Sequence, residues 1–255
     1  MDADPIALLE VFARAGAAER SAVRALPDET KRARTGRPGQ YGLDIIADQA
    51  ALGVLHEVDA MIVSEESGYS GNENADVTIV LDPVDGSSNC ARNLTYYATS
   101  IAAIDREGLL CSLVVNQATG SRFAAVRGQG AFRDDVELKA SSVEKVEDSI
   151  VALSGMPARM LPWSQYRALG CASLMLCDVA AGGLDGLIDS HPNLAPWDYL
   201  GGYLACVEAG AVVRDANGEA LVTDDPKARR QLIAAGTMAL CDLLMPGKTT
   251  PGSEA

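Results

Sequence analysis

Histidine is scarce in this chain, with His56 and His191 as its only two copies. So few histidines leave little material for a histidine-based metal site or a Ser-His-Asp triad. The six cysteines form no Cys-x-x-Cys pair, which predicts buried, reduced thiols rather than disulfides or zinc ligands. The chain also lacks a signal-peptide pattern and a hydrophobic run long enough to span a membrane. These absences predict a cytoplasmic protein with no membrane association.

Positive charge is also in short supply, with 21 Lys and Arg against 35 Asp and Glu and a formal net charge of −14. Such a surface repels nucleic acid and anionic membranes, so neither is expected as a partner. Hydrophobic residues make up 48% of the 255 residues. That length and composition are typical of a globular enzyme with a large core.

Two carboxylates follow directly on an apolar, β-branched run. Residues 77–81 predict a buried strand that stops at Asp82-Pro83-Val84-Asp85, followed by Gly86-Ser87-Ser88-Asn89. Two carboxylates at one strand end need a cation between them, and Gly-Ser-Ser offers N–H groups and hydroxyls to an anion. Asp-Pro or Asp-Gly alone would indicate an acidic turn. The whole run instead indicates phosphate chemistry assisted by metal cations.

Further carboxylates follow other predicted elements. Residues 61–63 predict a strand that ends at Glu65-Glu66, a pair that in isolation would be a solvated surface feature. Asp198 lies in the first turn of a helix predicted over 196–209, where an anion also simply complements the helix dipole. Asp44 and Asp48 lie one turn apart near the start of a helix predicted over 44–59, with the same alternative.

Residues 28–40 are polar, contain Gly and Pro, and predict a mobile basic loop. Their positive charges are Lys31, Arg32, Arg34 and Arg37. This segment is either a solvated charge run or a lid that faces phosphate, and the sequence favours neither.

The remaining pattern predicts one α/β protein in which helix and sheet layers alternate (α+β layered). A first helix is predicted over 5–26 and an antiparallel meander over 96–133. The later part alternates between strands (149–153, 184–188, 211–213, 231–235) and helices (171–181, 237–244). We predict a single domain over 1–245, with lobes at about 1–145 and 146–245, and a disordered tail over 246–255.

Several separated motifs together resemble the inositol monophosphatase family. The run from Asp82 to Asn89 is similar to the family's Asp-Pro-x-Asp-Gly-Thr/Ser-x-Asn signature, and Ser64-Glu65-Glu66-Ser67 is similar to its Gly-Glu-Glu-Ser element. Trp197-Asp198 with Glu208-Ala209-Gly210 resembles its second signature, Trp-Asp-x-Ala-x-Gly…Glu-Ala-Gly. Gly170-Cys171-Ala172 resembles the start of the Gly-Ser-Ala…Ala-Ala-Gly-x-Leu-Asp run. The motifs occur in the family order over nearly the whole chain.

The resemblance implies a Mg²⁺-dependent, Li⁺-sensitive phosphomonoesterase with alternating α-β-α-β-α layers, often a homodimer. One of two or three ions would be bound by Glu65, Asp82 and the carbonyl of Val84, and a second by Asp82, Asp85 and Asp198. Gly86 and Ser87 would hold the phosphate beside Asp85 and Asp198. Glu65 and the Ser87 hydroxyl would help activate the attacking water.

The sequence departs from the family pattern at several positions. Ser87 replaces the commoner Thr, Ser64 replaces Gly, and Cys90 replaces a Phe near the expected place of the substrate's organic part. The helix element with Asp44 and Asp48 is shorter than in the family; Asp48 is the predicted auxiliary carboxylate and Asp44 the alternative. The substrate-contacting acid is best matched by Asp189, before an insertion at 190–196.

The resemblance implies hydrolysis of inositol-1-phosphate or a related sugar or polyol phosphate. Fructose-1,6-bisphosphatase, histidinol-phosphatase and nucleotide 3′-phosphatase activities are alternatives within the same class. A different kind of role is protein binding, since some bacterial relatives associate with the transcription machinery.

Overall fold

The computed structural model describes residues 3–247. Residues 248–255, most of the tail predicted to be disordered, lie outside the described residues. The described chain contains two sheets and seven α-helices, which confirms the predicted α/β class. The helices are α1 (Pro5–Arg24), α2 (Asp28–Arg32), α3 (Gly42–Leu55), α4 (Ser87–Ala91), α5 (Ala172–Ala180), α6 (Pro196–Glu208) and α7 (Met238–Leu244).

The strands divide between the two sheets in chain order. The first sheet comprises β1 (Met61–Ser64), β2 (Gly68–Gly71), β3 (Thr78–Asp85), β4 (Ala98–Asp105), β5 (Gly108–Asn116), β6 (Arg122–Val126), β7 (Gly130–Arg133) and β8 (Val136–Glu137). Its spatial order is β2-β1-β3-β4-β5-β6-β7-β8. The second sheet comprises β9 (Ile150–Ser154), β10 (Gln165–Arg167), β11 (Gly186–Asp189), β12 (Val212–Asp215) and β13 (Leu232–Ala235), in the order β10-β9-β11-β13-β12.

Helices and sheets alternate in five layers, as predicted. The first layer, α1 and α3, covers one face of the first sheet, where Phe12 packs with Ile79. The helices α5 and α6 fill the space between the two sheets, with Leu200 fully buried there. On the outer face of the second sheet, Leu240 of α7 packs with Ile233. Apolar residues on both faces of each sheet explain why the predicted strands are nearly continuous hydrophobic runs.

Three details differ from the sequence-based predictions. The strand that was expected to stop before Asp82 continues through Asp85. The start of the predicted basic loop is the short helix α2, in which Asp28 and Glu29 occupy the first turn and Lys31 and Arg32 the last, an order that complements the helix dipole. The strands β2, β8 and β10 were not predicted, because they are short and partly or wholly exposed, and such strands carry no clear hydrophobic period.

The helix α6 lies unusually close to its neighbours because two glycines face them. A Cβ at Gly201 would lie 2.7 Å from Ser100 Oγ, and one at Gly202 would lie 2.5 Å from Leu176 Cβ. The Ser100 hydroxyl donates to the Trp197 carbonyl (3.1 Å), and the Ser112 hydroxyl donates to the Gly201 carbonyl (2.9 Å). These contacts hold the N-terminus of α6 against the first sheet.

Candidate active site

Parallel pairing of β1 with β3 brings the first two predicted ligands together. Ser64 is in register with Leu81, and the Glu65 amide donates to the Leu81 carbonyl (3.1 Å). Glu65 and Asp82 therefore each follow one of these paired residues at the same edge of the sheet. Carboxyl ends of parallel strands are a common place for ligand sites in α/β proteins.

A β-bulge places Asp82 and Asp85 on the same side of β3. Asp82 pairs with Ser100 of β4, whereas Asp85 pairs with Ala98, so β3 contains one extra residue between these pairs. Side chains alternate along a regular strand, and residues three apart would face opposite sides. The extra residue reverses that alternation. Pro83 has no N–H for the ladder, which a bulge tolerates.

Asp198 reaches the same place from α6. Its Oδ2 accepts from the Ala195 amide at the helix start (2.6 Å), as expected for an acid in the first turn. Because Ser100 lies opposite Asp82 and binds the Trp197 carbonyl, Asp198 is held beside Asp82. One carboxylate oxygen from each of Glu65, Asp82 and Asp198 lies within 4.8 Å of the others.

The electrostatics of this cluster fit a hard cation. Burial first, and then repulsion from Glu65, Asp85 and Asp198, raise the pKa of Asp82 well above its usual range. Burial also raises the pKa of Glu65 to about 7. The Oδ1 atom of Asp82 is buried and has no hydrogen-bond partner among the described residues. A divalent cation bound by carboxylate oxygens would supply the missing charge and partner, and Mg²⁺ prefers such oxygen ligands.

Asp85 is oriented by donors that sequence reasoning did not identify. Its Oδ2 accepts from the Ser173 amide (2.7 Å), the Ser173 hydroxyl (2.6 Å) and the Cys171 thiol (3.1 Å). Three donors on one oxygen fix the carboxylate and leave the other oxygen for a cation. Cys171 lies in the Gly170-Cys171-Ala172 motif that resembles the family, but the motif alone does not predict a role for it. Nothing in the sequence pairs Ser173 with Asp85, which lies far away along the chain.

The predicted phosphate-binding residues lie directly after Asp85. Gly86 has φ of +83°, which favours glycine, and a Cβ there would lie 2.9 Å from the Gly170 carbonyl oxygen. Its carbonyl accepts from the Asn89 amide (2.8 Å) and so starts α4. The first N–H groups of any helix have no partner within the helix, and Ser87 is the first residue of α4.

The two candidates for the auxiliary carboxylate have different surroundings. Asp48 accepts from the Ser64 hydroxyl, so the Ser that replaces the family's Gly has a specific partner. Asp44 accepts from the Tyr41 amide (2.7 Å), and its buried Oδ1 has no partner within residues 3–247. Burial raises the pKa of Asp44 to about 7, and its charge in turn raises the pKa of Glu65 and Asp82. Which of the two is the auxiliary carboxylate stays a prediction at this point.

The basic segment, residues 31–37, is largely exposed to solvent, and one of its arginines contacts Glu65 of the cluster. The Arg37 guanidinium donates to the Glu65 carbonyl (3.2 Å) and to the Glu66 carboxylate (3.3 Å). Arg34 lies over the Tyr41 ring at 3.8 Å and donates to its hydroxyl (2.8 Å). This placement matches the lid interpretation, which itself stays a prediction.

Two residues expected on the substrate side are buried. Cys90 is 2% exposed and packs in a core cluster with Tyr41 and Val84, so it does not form an open pocket wall. Asp189 is the last residue of β11, is 3% exposed and pairs with Ser154 of β9. The role of Asp189 in substrate binding stays a prediction.

A buried glutamate of α1 contacts the β3 bulge through Thr99. Glu19 is 1% exposed and contacts the Thr99 hydroxyl, which also lies 3.1 Å from the Pro83 carbonyl oxygen. Thr99 has one hydroxyl hydrogen for these two acceptors. A protonated Glu19 resolves the conflict, because it donates to Thr99 and leaves Thr99 to donate to Pro83. Burial raises the pKa of Glu19 well above its usual range, in agreement with the neutral form.

Glu19→Gln is therefore expected to remove a pH dependence of stability. The folded protein keeps a proton that the unfolded chain releases above the ordinary glutamate pKa, so the wild type loses stability as pH rises above about 5. Gln keeps a donor for Thr99 and does not titrate. In urea unfolding, the free energy of unfolding of the variant relative to the wild type should rise between pH 5 and pH 8, by at most about 1.4 kcal/mol per pH unit. Glu10→Gln, on the exposed side of α1, is the control, and equal pH slopes for all three proteins would contradict the neutral Glu19.

Comparison with known proteins shows which family this chain is similar to. The sequence profile of the inositol monophosphatase family matches residues 45–245. A fructose-1,6-bisphosphatase/inositol-1-monophosphatase from Methanothermobacter thermautotrophicus is 31% identical over 226 residues, which cover 80% of this chain and 81% of that protein. The Nus factor SuhB of Pasteurella multocida is 30% identical over 193 residues, 69% of this chain and 71% of its own. The solved structure of a hypothetical Pyrococcus horikoshii protein with similarities for inositol-1 monophosphatase has a TM-score of 0.87 at 20% identity and covers 97% of this chain and 100% of its own.

This chain belongs to the inositol monophosphatase family, so the predicted resemblance is confirmed. The match and the names of the relatives support a phosphatase. The P. horikoshii structure shows the shared fold alone at its level of identity. Among residues 3–247, no helix has both the length and the apolar character needed to cross a bilayer.

Proposed function

We propose that this protein is a Mg²⁺-dependent phosphomonoesterase that hydrolyses inositol-1-phosphate or a related sugar or polyol phosphate by attack of water. The observation that carries the proposal is the convergence of oxygens from Glu65, Asp82 and Asp198 within 4.8 Å, immediately beside the Gly86-Ser87 turn. Carboxylate oxygens around a buried, unpartnered acceptor suit a hard divalent cation, and a helix start with free N–H groups suits an anion.

The residues of the cluster would divide between two ions. Glu65, Asp82 and the Val84 carbonyl would hold one ion, and Asp82, Asp85 and Asp198 would hold a second. When bound, the ions lower the pKa of water and neutralise the phosphate charge. The contacts from Ser173 hold Oδ2 of Asp85, which would leave its Oδ1 available to a cation.

The phosphate and the attacking water are positioned by other groups of the chain. Backbone N–H groups of Gly86 and Ser87 bind the phosphate, and the Ser87 hydroxyl with Glu65 orients the water. We assign the auxiliary carboxylate to Asp44. One of its oxygens has no partner among the described residues, and its charge raises the pKa of both Glu65 and Asp82. Asp48 then has a positioning role: it accepts from the Ser64 hydroxyl and so fixes the end of β1, directly before Glu65.

Phosphate release from a panel of phosphomonoesters, with Mg²⁺ titrated, tests the proposal. We expect turnover only with the cation present, and the highest kcat/KM for inositol-1-phosphate. Fructose-1,6-bisphosphate is the main competitor, since the M. thermautotrophicus relative carries both names; histidinol phosphate and a nucleotide 3′-phosphate complete the panel. Li⁺ at about tens of millimolar should inhibit by competing for the oxygen ligands of the cluster. Undiminished turnover in excess chelator would refute the metal-dependent mechanism.

A second candidate role, binding to a protein of the transcription machinery, is favoured by the relatives named as Nus factor SuhB. The net charge of −14 makes a protein partner more suitable than nucleic acid. A pull-down with an Asp82→Asn variant separates the roles, because this variant should lose hydrolysis and keep the partner. A pull-down with no retained partner removes the second role. The homodimer and the cytoplasmic location stay predictions.

A further inference from the structure

An open pocket of about 430 Å³ lies where α2 and the start of α3 meet the end of α4. Its lining residues, which define what we call the arginine pocket, are Arg32, Arg34, Tyr41, Ala91 and Arg92. None of the proposed metal ligands or phosphate-binding residues lines it. Three guanidinium groups around one pocket stand out in a chain whose formal net charge is −14.

Two of these arginines are oriented by neutral acceptors. Arg34 donates to the Gly39 carbonyl (3.1 Å) and to the Tyr41 hydroxyl (2.8 Å). Arg32 donates through Nε to the Ala91 carbonyl (3.0 Å). Such contacts hold the guanidinium groups in place, but they do not cancel the positive charge.

Carboxylates of the chain neutralise the pocket only weakly. Arg32 lies 3.7 Å from Asp28, but both side chains are more than half exposed, so water screens this pair. The Arg92 guanidinium has neither an ion pair nor a hydrogen bond within residues 3–247. Like charges that lie close together repel one another, and an anion bound among them would relieve this repulsion.

The arginine pocket is next to the proposed phosphate-binding turn without being part of it. The Tyr41 hydroxyl, which accepts from Arg34, lies 3.3 Å from the Ser88 Oγ. Ser88 directly follows Ser87 in α4. Tyr41 is 5% exposed and packs in a core cluster with Val84, so its ring is a fixed wall of the pocket.

We propose that the arginine pocket binds inorganic phosphate, or the phosphate group of a small metabolite, at a site separate from the catalytic cluster. Each guanidinium carries more N–H donors than the contacts above use, and its planar fork matches the oxygens of a phosphate. A carboxylate has two oxygens and a single charge. A phosphate dianion is therefore the better match for three guanidinium groups.

Calorimetric titration of the full-length protein with inorganic phosphate tests the proposal. The protein is kept free of divalent cations, so that the catalytic carboxylates repel phosphate, and at low ionic strength, because salt screens exposed charges. We expect one saturable site, which Arg92→Gln should weaken at least about tenfold. This variant should fold normally, since the Arg92 guanidinium has no hydrogen bond or ion pair within the described residues to lose. The absence of saturable binding to the wild type would overturn the proposal.

Two further variants locate the bound phosphate. Arg167→Gln removes the same charge from an exposed position on β10 of the second sheet and should leave the affinity unchanged. Equal weakening by Arg92→Gln and Arg167→Gln would show a response to net charge alone and overturn the pocket. Asp82→Asn removes a repelling charge from the catalytic cluster. An unchanged affinity supports the separate site, whereas an affinity raised more than about tenfold would place the phosphate in the cluster and overturn it.

Steady-state kinetics with Mg²⁺ distinguish a free phosphate from one carried by the substrate. Arg92→Gln should leave the KM values for inositol-1-phosphate and fructose-1,6-bisphosphate unchanged, because the pocket contains no residue of the proposed catalytic site. A KM raised for the bisphosphate alone would make the arginine pocket part of the substrate site and contradict a separate ligand.

Discussion

Asp82→Asn is expected to lower kcat/KM for the best phosphomonoester by about 10³-fold or more while it stabilises the metal-free protein. Asp82 is 1% exposed and belongs to the carboxylate cluster, where it would be a ligand of both proposed ions. An amide keeps the shape and removes the charge, so cation binding and the transition-state stabilisation that depends on it are lost. A 10³-fold loss corresponds to about 4 kcal/mol, a reasonable amount for metal-ion catalysis.

Asp82→Asn should lose activity but gain stability, because without a cation the carboxylates of the cluster repel one another. Burial and mutual repulsion raise the pKa values of Asp82 and Glu65, so the metal-free wild type loses stability as pH rises through and above the usual carboxyl range. Asp82→Asn removes part of this loss. Thermal unfolding at pH 5 and pH 8, with and without Mg²⁺, should show that the cation raises the wild-type Tm and leaves the variant nearly unchanged.

Asp76→Asn is a matched control for this prediction. Asp76 precedes β3 at the opposite end from the cluster and forms an exposed ion pair with Arg106. Its loss should change stability by less than about 1 kcal/mol and leave kcat/KM unchanged. Equal activity of Asp82→Asn and Asp76→Asn would refute the proposed metal site.

Gly86→Ala is expected to reduce both activity and stability strongly. The added Cβ would lie 2.9 Å from the Gly170 carbonyl oxygen and 3.2 Å from the Tyr96 carbonyl oxygen, and φ of +83° is itself strained for alanine. Strain of this kind costs about 1–2 kcal/mol before any clash is counted. The turn must move to relieve the clash, and Ser87 moves with it. A displacement of about 1 Å at a reacting group can cost about 10²-fold in rate.

Gly218→Ala separates the clash from the backbone strain. Gly218 has a nearly identical φ of +81°, but a Cβ there meets nothing within 4 Å. This variant should lose about 1–2 kcal/mol in urea unfolding and keep its kcat/KM. If the two alanine variants behave alike in both measurements, the close approach of the Gly86 turn to Gly170 has no functional importance.

Much of the fold was predictable because its elements are strongly patterned. The antiparallel meander over 96–133 and the helix α6 were predicted with nearly correct bounds, since buried elements in a layered protein need long hydrophobic stretches. The short strands β8 and β10 lie at sheet edges, where nothing demands a hydrophobic period. The end of β3 was wrongly predicted, because Asp-Pro usually marks a turn and a bulge tolerates the same residues.

The candidate site was predictable as a set of residue types and only partly as a geometry. Glu65, Asp82 and Asp198 were named from their motifs, and the structure brings them together. The donors on Asp85 and the Glu19 network depend on contacts between distant segments, which no local pattern encodes.

The sequence by itself determined which groups this protein can use: oxygen ligands without histidine, a glycine turn with hydroxyls, and enough apolar surface for five layers. Only the tertiary structure decided how those groups are used. It left one Asp44 oxygen buried without a partner among the described residues, and it placed Arg37 against the Glu65 carbonyl. The physical reason is that a residue's chemistry belongs to the chain, whereas its burial, charge environment and free oxygens depend on which distant segments pack around it.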